Sequence, residues 1–532
     1  MRRNLGRPLH RRPFIILPLF LAVWLLAGCE RPDPEVTIVA SLVAVPPPPT
    51  PIIAASNFEG VAPPTPQTSG AAVTPLPAYE GTPTPDPPHR LSEPDERPFA
   101  THRVSAGETL GYIAQLYGTT IEELTTINHL AETDFLSIGQ ELLIPTQAEL
   151  PGPVFKIIPD SELVYGPAAK EFDVSAFAAA YHSRLRDYSE EVEGQMLSGP
   201  MIVQLVADRF SVNPRLLLAL LEHNAGWVTE DGFGEADYPL GYAEANYEGL
   251  YRQLSWAANE LNWGFYGRAE GGLRGVVLSD GTRLSFAPEI NDGTAAAQNM
   301  LAARTGSTND QWLEDSGPRG LFATYNCLFG NPFAYTVDPL WPDDPAQPLL
   351  QLPWASGETW YFTGGPHGGW ASGSAWAALD FAPESEQLGC FQSDAWVTAM
   401  ADGLVTRSDF GAVVVDLDGD GYAGTGWAVT YMHLDTRDRI TAGTLVQTGD
   451  RLGHPSCEGG FADGTHVHVA RTFNGRWVSA DGPVPFTMGG WTAQGLGREY
   501  DGLLVRGEES REACGCREEN GITAENGPFA PH

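Results

Sequence analysis

Proline sets the first limit on this chain. Residues 29–100 carry runs such as Pro46-Pro47-Pro48-Pro49 and Thr82-Pro83-Thr84-Pro85. Proline brings no amide donor, so this stretch is expected to stay disordered and to favour extended polyproline conformations. Fully extended, a linker of this size reaches on the order of 200 Å; as a coil it spans about 45 Å. It divides a short N-terminal segment from everything that folds. The 532 residues exceed what one core organises, so several domains are expected. The formal charge is −36, from 31 basic and 67 acidic residues. Phosphate backbones need a basic face, so no nucleic-acid partner is expected.

The first 28 residues have the layout of a secretory signal. Arg2, Arg3, Arg7, Arg11 and Arg12 precede an apolar run from Phe14 to Leu26, short for a membrane span. The run ends in Leu26-Ala27-Gly28-Cys29, which resembles the bacterial lipobox. That resemblance implies acylation of Cys29, a lipid anchor and not a span. The chain would then sit at the outer face of the bacterial cell membrane, with the linker reaching into the wall.

Residues 101–146 pattern as strand, helix, helix, strand. Val104-Ser105-Ala106-Gly107-Glu108-Thr109-Leu110 leads into Ile113-Ala114-Gln115-Leu116-Tyr117-Gly118, followed by Ile121 to Leu124, Asn128 and Ile138 to Pro145. Glu108 or Thr109 can start the first helix, and Gly118 can end it. The stretch resembles a LysM domain. That family binds N-acetylglucosamine-containing glycans such as peptidoglycan, and the loops at Gly107-Glu108-Thr109 and after Asn128 would meet sugar.

Residues 150–340 read as mainly helical. Met201 to Phe210 and Pro214 to His223 have helical apolar spacing, and Asn213-Pro214 suits a helix start. The segment from Val212 to Trp227 resembles the opening helix of lysozyme-like lytic transglycosylases. Where that family carries its catalytic glutamate, this chain has Asn224, which cannot act as a carboxylic acid. A lysozyme-like domain without that acid is expected, with Glu222 or Glu230 as the alternative acids.

From 345 to 490 the chain becomes glycine-rich and alternating, the mark of an antiparallel all-β domain, followed by an extension over 491–532. Val397–Val405, Gly411–Leu417, Trp427–His433 and Thr465–Phe473 are predicted strands. His466 and His468 stand two apart on a strand and so share a face. Asp416, Asp418 and Asp420 form either a calcium loop or a tight acidic hairpin turn. Cys390 and Cys457 fall in the same domain, as a disulfide or as two buried thiols.

His367, Asp380, Tyr431-Met432-His433 and His466-Val467-His468 occur in this order with glycine turns between them. Together they resemble the lysostaphin/LytM-type zinc endopeptidases. The resemblance implies one zinc ion on His367, Asp380 and His468, with His433 and His466 as the catalytic pair. Two imidazoles and a carboxylate leave a fourth position open for water, as a catalytic zinc site needs. The family keeps its first histidine much closer to its aspartate. Here a loop through Trp370 to Trp376 must bring His367 and Asp380 together, and His454 is an alternative ligand. The expected function is cleavage of peptidoglycan stem or cross-bridge peptides by a lipid-tethered hydrolase that LysM directs to glycan. The alternative is a non-catalytic wall-binding lipoprotein or an activator of other hydrolases.

Overall fold

The computed structural model describes residues 99–525 apart from 105–108, 118, 129, 131–135, 137–138, 146–149, 234–235, 271, 343–344, 386 and 517–518. The signal segment, Cys29, the linker, Gly107 and Glu108 lie outside the described residues. Among the described residues no helix is long and apolar enough to cross a membrane.

The first folded unit is a strand–helix–helix–strand module. Phe99–Arg103 pairs antiparallel with Glu141–Pro145, and helices Leu110–Leu116 and Ile121–Ile127 lie between them in sequence. Thr109 Oγ1 accepts from the Tyr112 amide, the cap that the sequence predicts. Val104, Ile113, Ala114, Leu124, Leu142 and Ile144 form its core. Asn128 ties helix to strand: its amide donates to Leu124 O and Leu143 O and its carbonyl accepts from Leu143 N.

The helical unit is built on Gly199–Phe210, Pro214–Ala225, Leu250–Ala269, Asp292–Ala302 and Leu321–Phe329. Asn213 accepts from Arg215 N, with Pro214 in the first helical turn. Leu250–Ala269 and Asp292–Ala302 pack closely at Gly264, where a Cβ would come within 2.6 Å of Ala296 Cα. The buried Arg215 guanidinium pairs with Glu162 at 2.7 Å, which leaves neither charge alone in the interior.

Among the described residues the C-terminal sheet has nine strands, all antiparallel. Its order is Leu445–Val446, Gly403–Asp409, Ala412–Asp416, Trp427–Met432, Val467–Phe473, Ala378–Pro383, Thr359–His367, Gly521–Thr523, with Arg476–Trp477 joined to Val467–Phe473. The stretch Val397–Val405 is two strands, not one. Val397–Thr398 pairs elsewhere, and a turn at 399–402 intervenes. The Asp402 carboxylate holds that turn by accepting from Thr448 N and Oγ1.

Alternation gives this sheet two buried faces. Leu379, Phe381, Val413, Val415, Val429, Tyr431, Val467 and Val469 point into one core. Ala378, Ala412, Met432, Ala470 and Trp477 point the other way and join the core of the helical unit. The Trp477 amide donates to Tyr266 Oη and its indole to Phe210 O. Helices and sheet therefore share one interior. The extension joins the core on the other face: Gly521–Thr523 pairs with Thr359–Tyr361, and Trp491, Ala493 and Leu504 enter the sheet core.

Glu260 gives a test of this helical packing. Burial pushes its carboxyl up to about 7, against a hydrogen bond from Asn299 that favours the charge. The folded value lies above the unfolded one, so the native chain loses stability as pH rises from about 4.5 to about 7. Glu260→Gln should be more stable than the parent by about 1–2 kcal/mol at pH 8 and equal to it at pH 4, read by thermal unfolding.

Candidate metal centre

The centre is assembled by strand register. His468 lies directly opposite Asp380 on one neighbouring strand and opposite Met432 on the other. His433 follows Met432 immediately, in a left-handed conformation (φ +62°) that turns the chain at the strand end. Thr359–His367 pairs with Ala378–Pro383 so that Gly364 faces Asp380 and His367 faces Ala378, with bulges between. The wide interval from His367 to Asp380 is thus the connection of an antiparallel strand pair.

Three donor atoms converge. His367 Nε2 is 3.0 Å from His468 Nδ1, and each is 3.3 Å from Asp380 Oδ1. All three residues are buried. His367 Nδ1 donates to Gly365 O at 2.8 Å, and His468 Nε2 donates to Gly369 O at 3.1 Å. Each proton is thereby placed on the far nitrogen, leaving two lone pairs and a carboxylate aimed at one point. Asp380 Oδ1 is buried without a hydrogen-bond partner. A tetrahedral ion bound at about 2.0–2.1 Å spaces its ligands about 3.3 Å apart, so this donor set fits zinc.

The local charges act in the same direction. Burial opposes ionisation of Asp380, but His367 and His466 beside it hold the carboxyl well below the usual range. Burial likewise disfavours a charged His367, yet Asp380, with the Gly365 carbonyl and Glu499, pushes the imidazole up. The cluster draws positive charge.

His433 and His466 stand next to these atoms. Their rings are 4.5 Å apart, and His466 Nε2 is 3.7 Å from Asp380 Oδ1. Both donate from Nδ1 to a backbone carbonyl, Glu458 O at 2.9 Å and Gly464 O at 2.7 Å, so each Nε2 is a free acceptor. Burial, with His466 and His468 nearby, holds His433 well below its ordinary value. The loop supplying Glu458 O is tied by the Cys390–Cys457 disulfide.

His454 does not join the cluster. Its Nδ1 donates to Ala395 O and its ring lies against Trp396. The Asp416, Asp418 and Asp420 carboxylates come close enough together for a cation, but calcium finds no support. They accept from the amides of Asp418, Gly421, Asp420 and Tyr422, and Asp420 pairs with Lys170. The acidic hairpin turn is the better description.

Sequence reasoning missed the carbonyls of Gly365, Gly369, Glu458 and Gly464, because any residue offers a carbonyl. It also missed Tyr500, from the extension, whose ring stacks on His367 at 4.2 Å, and Glu499, which accepts from Gly368 N. No local motif marks either one.

The fold and the His/Asp/His cluster can be set beside what the chain is similar to. Residues 102–145 match the LysM domain family, and residues 156–342 match the family described as LasA, N-terminal domain. The chain is similar to Protease LasA of Pseudomonas aeruginosa (strain UCBPP-PA14), 27% identical over 346 residues that cover 61% of this chain and 75% of that protein. Among solved structures it is similar to the M23 metalloprotease pseudoalterin from the deep sea: 28% identity, 32% of this chain, 96% of the other, TM-score 0.27. It is also similar to the catalytic domain of lysostaphin from Staphylococcus simulans: 19% identity, 23% of this chain, 89% of the other, TM-score 0.17.

In the helical unit, Glu222 and Asn224 have structural partners. The Glu222 carboxylate accepts from Val228 N, Thr229 N and Thr229 Oγ1, closing the turn beyond its helix. Asn224 donates to Leu220 O and accepts from Arg304. Glu222→Ala should therefore lower stability by about 1.5–3 kcal/mol in denaturant unfolding, the loss expected for charge-assisted hydrogen bonds. It should leave the release of sugar ends from peptidoglycan unchanged.

Proposed function

We propose that this protein is a zinc-dependent endopeptidase that cleaves peptidoglycan stem or cross-bridge peptides. A lipid on Cys29 would hold it at the outer face of a bacterial membrane, and its LysM domain would bind the glycan. The observation that carries the reading is the set of three unshared donor atoms on His367, Asp380 and His468, beside two histidines with free Nε2 atoms. The similarity to Protease LasA supports the peptidase class, and the LysM match supports a glycan partner.

His367, Asp380 and His468 would hold the ion. Bound zinc supplies a Lewis acid that polarises the scissile carbonyl and brings a water's pKa towards neutrality. His433 is held neutral, so its Nε2 can accept a proton from water at neutral pH. His466 Nε2, on the Asp380 side, can steady the developing oxyanion or return the proton to the leaving amine once protonated. Asp380 stays ionised throughout, which keeps the charge at the ligands constant. Non-catalytic wall-binding proteins of this fold would have no reason to keep all five groups.

The mature protein should clear a peptidoglycan suspension and stop doing so on chelation, with recovery on added zinc. His468→Ala should lose zinc, measured by mass spectrometry, and lower turnover at least about 10³-fold, the range set by a ligand's part in transition-state stabilisation. A zinc-free parent that still sediments with peptidoglycan would instead establish the binding-only alternative.

A pH profile tests the proton carrier. The His433 imidazole is held below its ordinary value, so its neutral form persists as pH falls below 6.5. The acid limb of kcat/KM should therefore lie below pH 6.5. An acid limb at or above that value would remove His433 as the base.

A further inference from the structure

The connection between the two ligand strands, residues 368–377, does not lie free. It is docked on the helical unit. Gly373 N donates to Asn259 Oδ1 at 2.8 Å, and Asn259 Nδ2 donates to Ser372 Oγ at 3.3 Å. Asn259 sits inside the Leu250–Ala269 helix and is almost fully buried. The approach is backbone to backbone: a Cβ on Gly373 would come within 2.1 Å of Asn259 O and 2.9 Å of Trp263 N. A second helix holds the start of the same connection. The buried Arg209 guanidinium, fixed by Glu193 at 2.7 Å, lies 5.1 Å over the Trp370 ring.

Within the connection, hydrogen bonds run from those anchors towards the candidate metal centre. Trp370 N donates to Ser374 Oγ, Gly369 N donates to Ala375 O, and Ser374 Oγ donates to Ala371 O. The same tight loop presents Gly369 O to His468 Nε2. That carbonyl decides which His468 nitrogen carries the proton, and so whether Nδ1 offers its lone pair to the other two ligands. Partners that orient a metal-bound histidine typically change metal affinity 10- to 100-fold when lost.

We infer that Asn259 is a positioning residue for the metal centre, acting from the helical unit through Ser372 and Gly373 to set Gly369 O against His468. The helical unit is then part of the peptidase and not only a neighbour of it. The inference rests on the zinc reading above. It asks in addition that a residue touching neither metal nor substrate control how tightly the centre holds its ion.

Asn259→Leu keeps the side-chain volume and removes both polar atoms. Asn259→Asp keeps two acceptor oxygens for Gly373 N and the Ser372 hydroxyl. Gly373→Ala drives a methyl into the helix backbone and lifts the connection from the other side. Zinc affinity of each full-length chain is measured by competition with a chromophoric chelator, with circular dichroism and thermal unfolding to establish that it folds. The expected result is a 10- to 100-fold weaker zinc Kd for Asn259→Leu and Gly373→Ala, and a Kd within about threefold of the parent for Asn259→Asp. Parent-like affinity in folded Asn259→Leu would overturn the inference while leaving the zinc reading intact. Equal loss in Asn259→Leu and Asn259→Asp would overturn it too, because the acceptor would then not be what matters. A parent chain that binds no zinc would overturn the zinc reading and this inference with it.

Discussion

A carboxylate sunk between imidazoles is the constraint around which the C-terminal half is arranged. Asp380 is buried, ionised, and has one oxygen with no hydrogen-bond partner. An isolated charge in such a place is strongly disfavoured. It is tolerated here because His367 and His466 stand beside it, and the strand register sets His468 directly across from Asp380 as well. A shift of one residue would carry His468 to the opposite face, among the valines of the sheet core. The alternation Val467, His468, Val469, Ala470 therefore serves packing and chemistry together, with Val467 and Val469 in one core and His468 and Ala470 facing the other side.

The second face explains why the helical unit cannot be treated as a spacer. Ala378, Ala412 and Ala470 on the sheet join Met432 and Trp477 in the core of the helical unit. Trp477 fills the junction and has both of its donors satisfied by helical residues. The candidate metal centre lies on this same face. The residues that orient it are drawn from strand ends, from the connection at 368–377, from the loop tied by Cys390–Cys457, and from the extension that brings Tyr500 onto His367. Strands carry the candidate ligands, while carbonyls of the intervening segments accept from their far nitrogens. Among the described residues the LysM module has its own small core.

Sequence by itself determined the kinds of element and the identity of the chemical groups. Asn213-Pro214 announces a helix because proline suits the first turn and asparagine caps it, and the helix starts there. His-x-His on an alternating strand places two imidazoles on one face, and the resemblance to the lysostaphin/LytM-type endopeptidases implies His367, Asp380 and His433 as their companions. Tertiary structure decided what depends on register and distant packing. It made the long interval between His367 and Asp380 into a strand connection, split Val397–Val405 at the Asp402 turn, closed the Asp416–Asp420 run with its own amides and Lys170, and left His454 against Trp396. It set the Glu222 carboxylate on the amides of Val228 and Thr229, in the turn beyond its helix. It also chose the carbonyls that set each histidine's proton. Every residue has a carbonyl, so composition and spacing carry no signal for which one will face an imidazole; that is settled only when strands from distant parts of the chain pair.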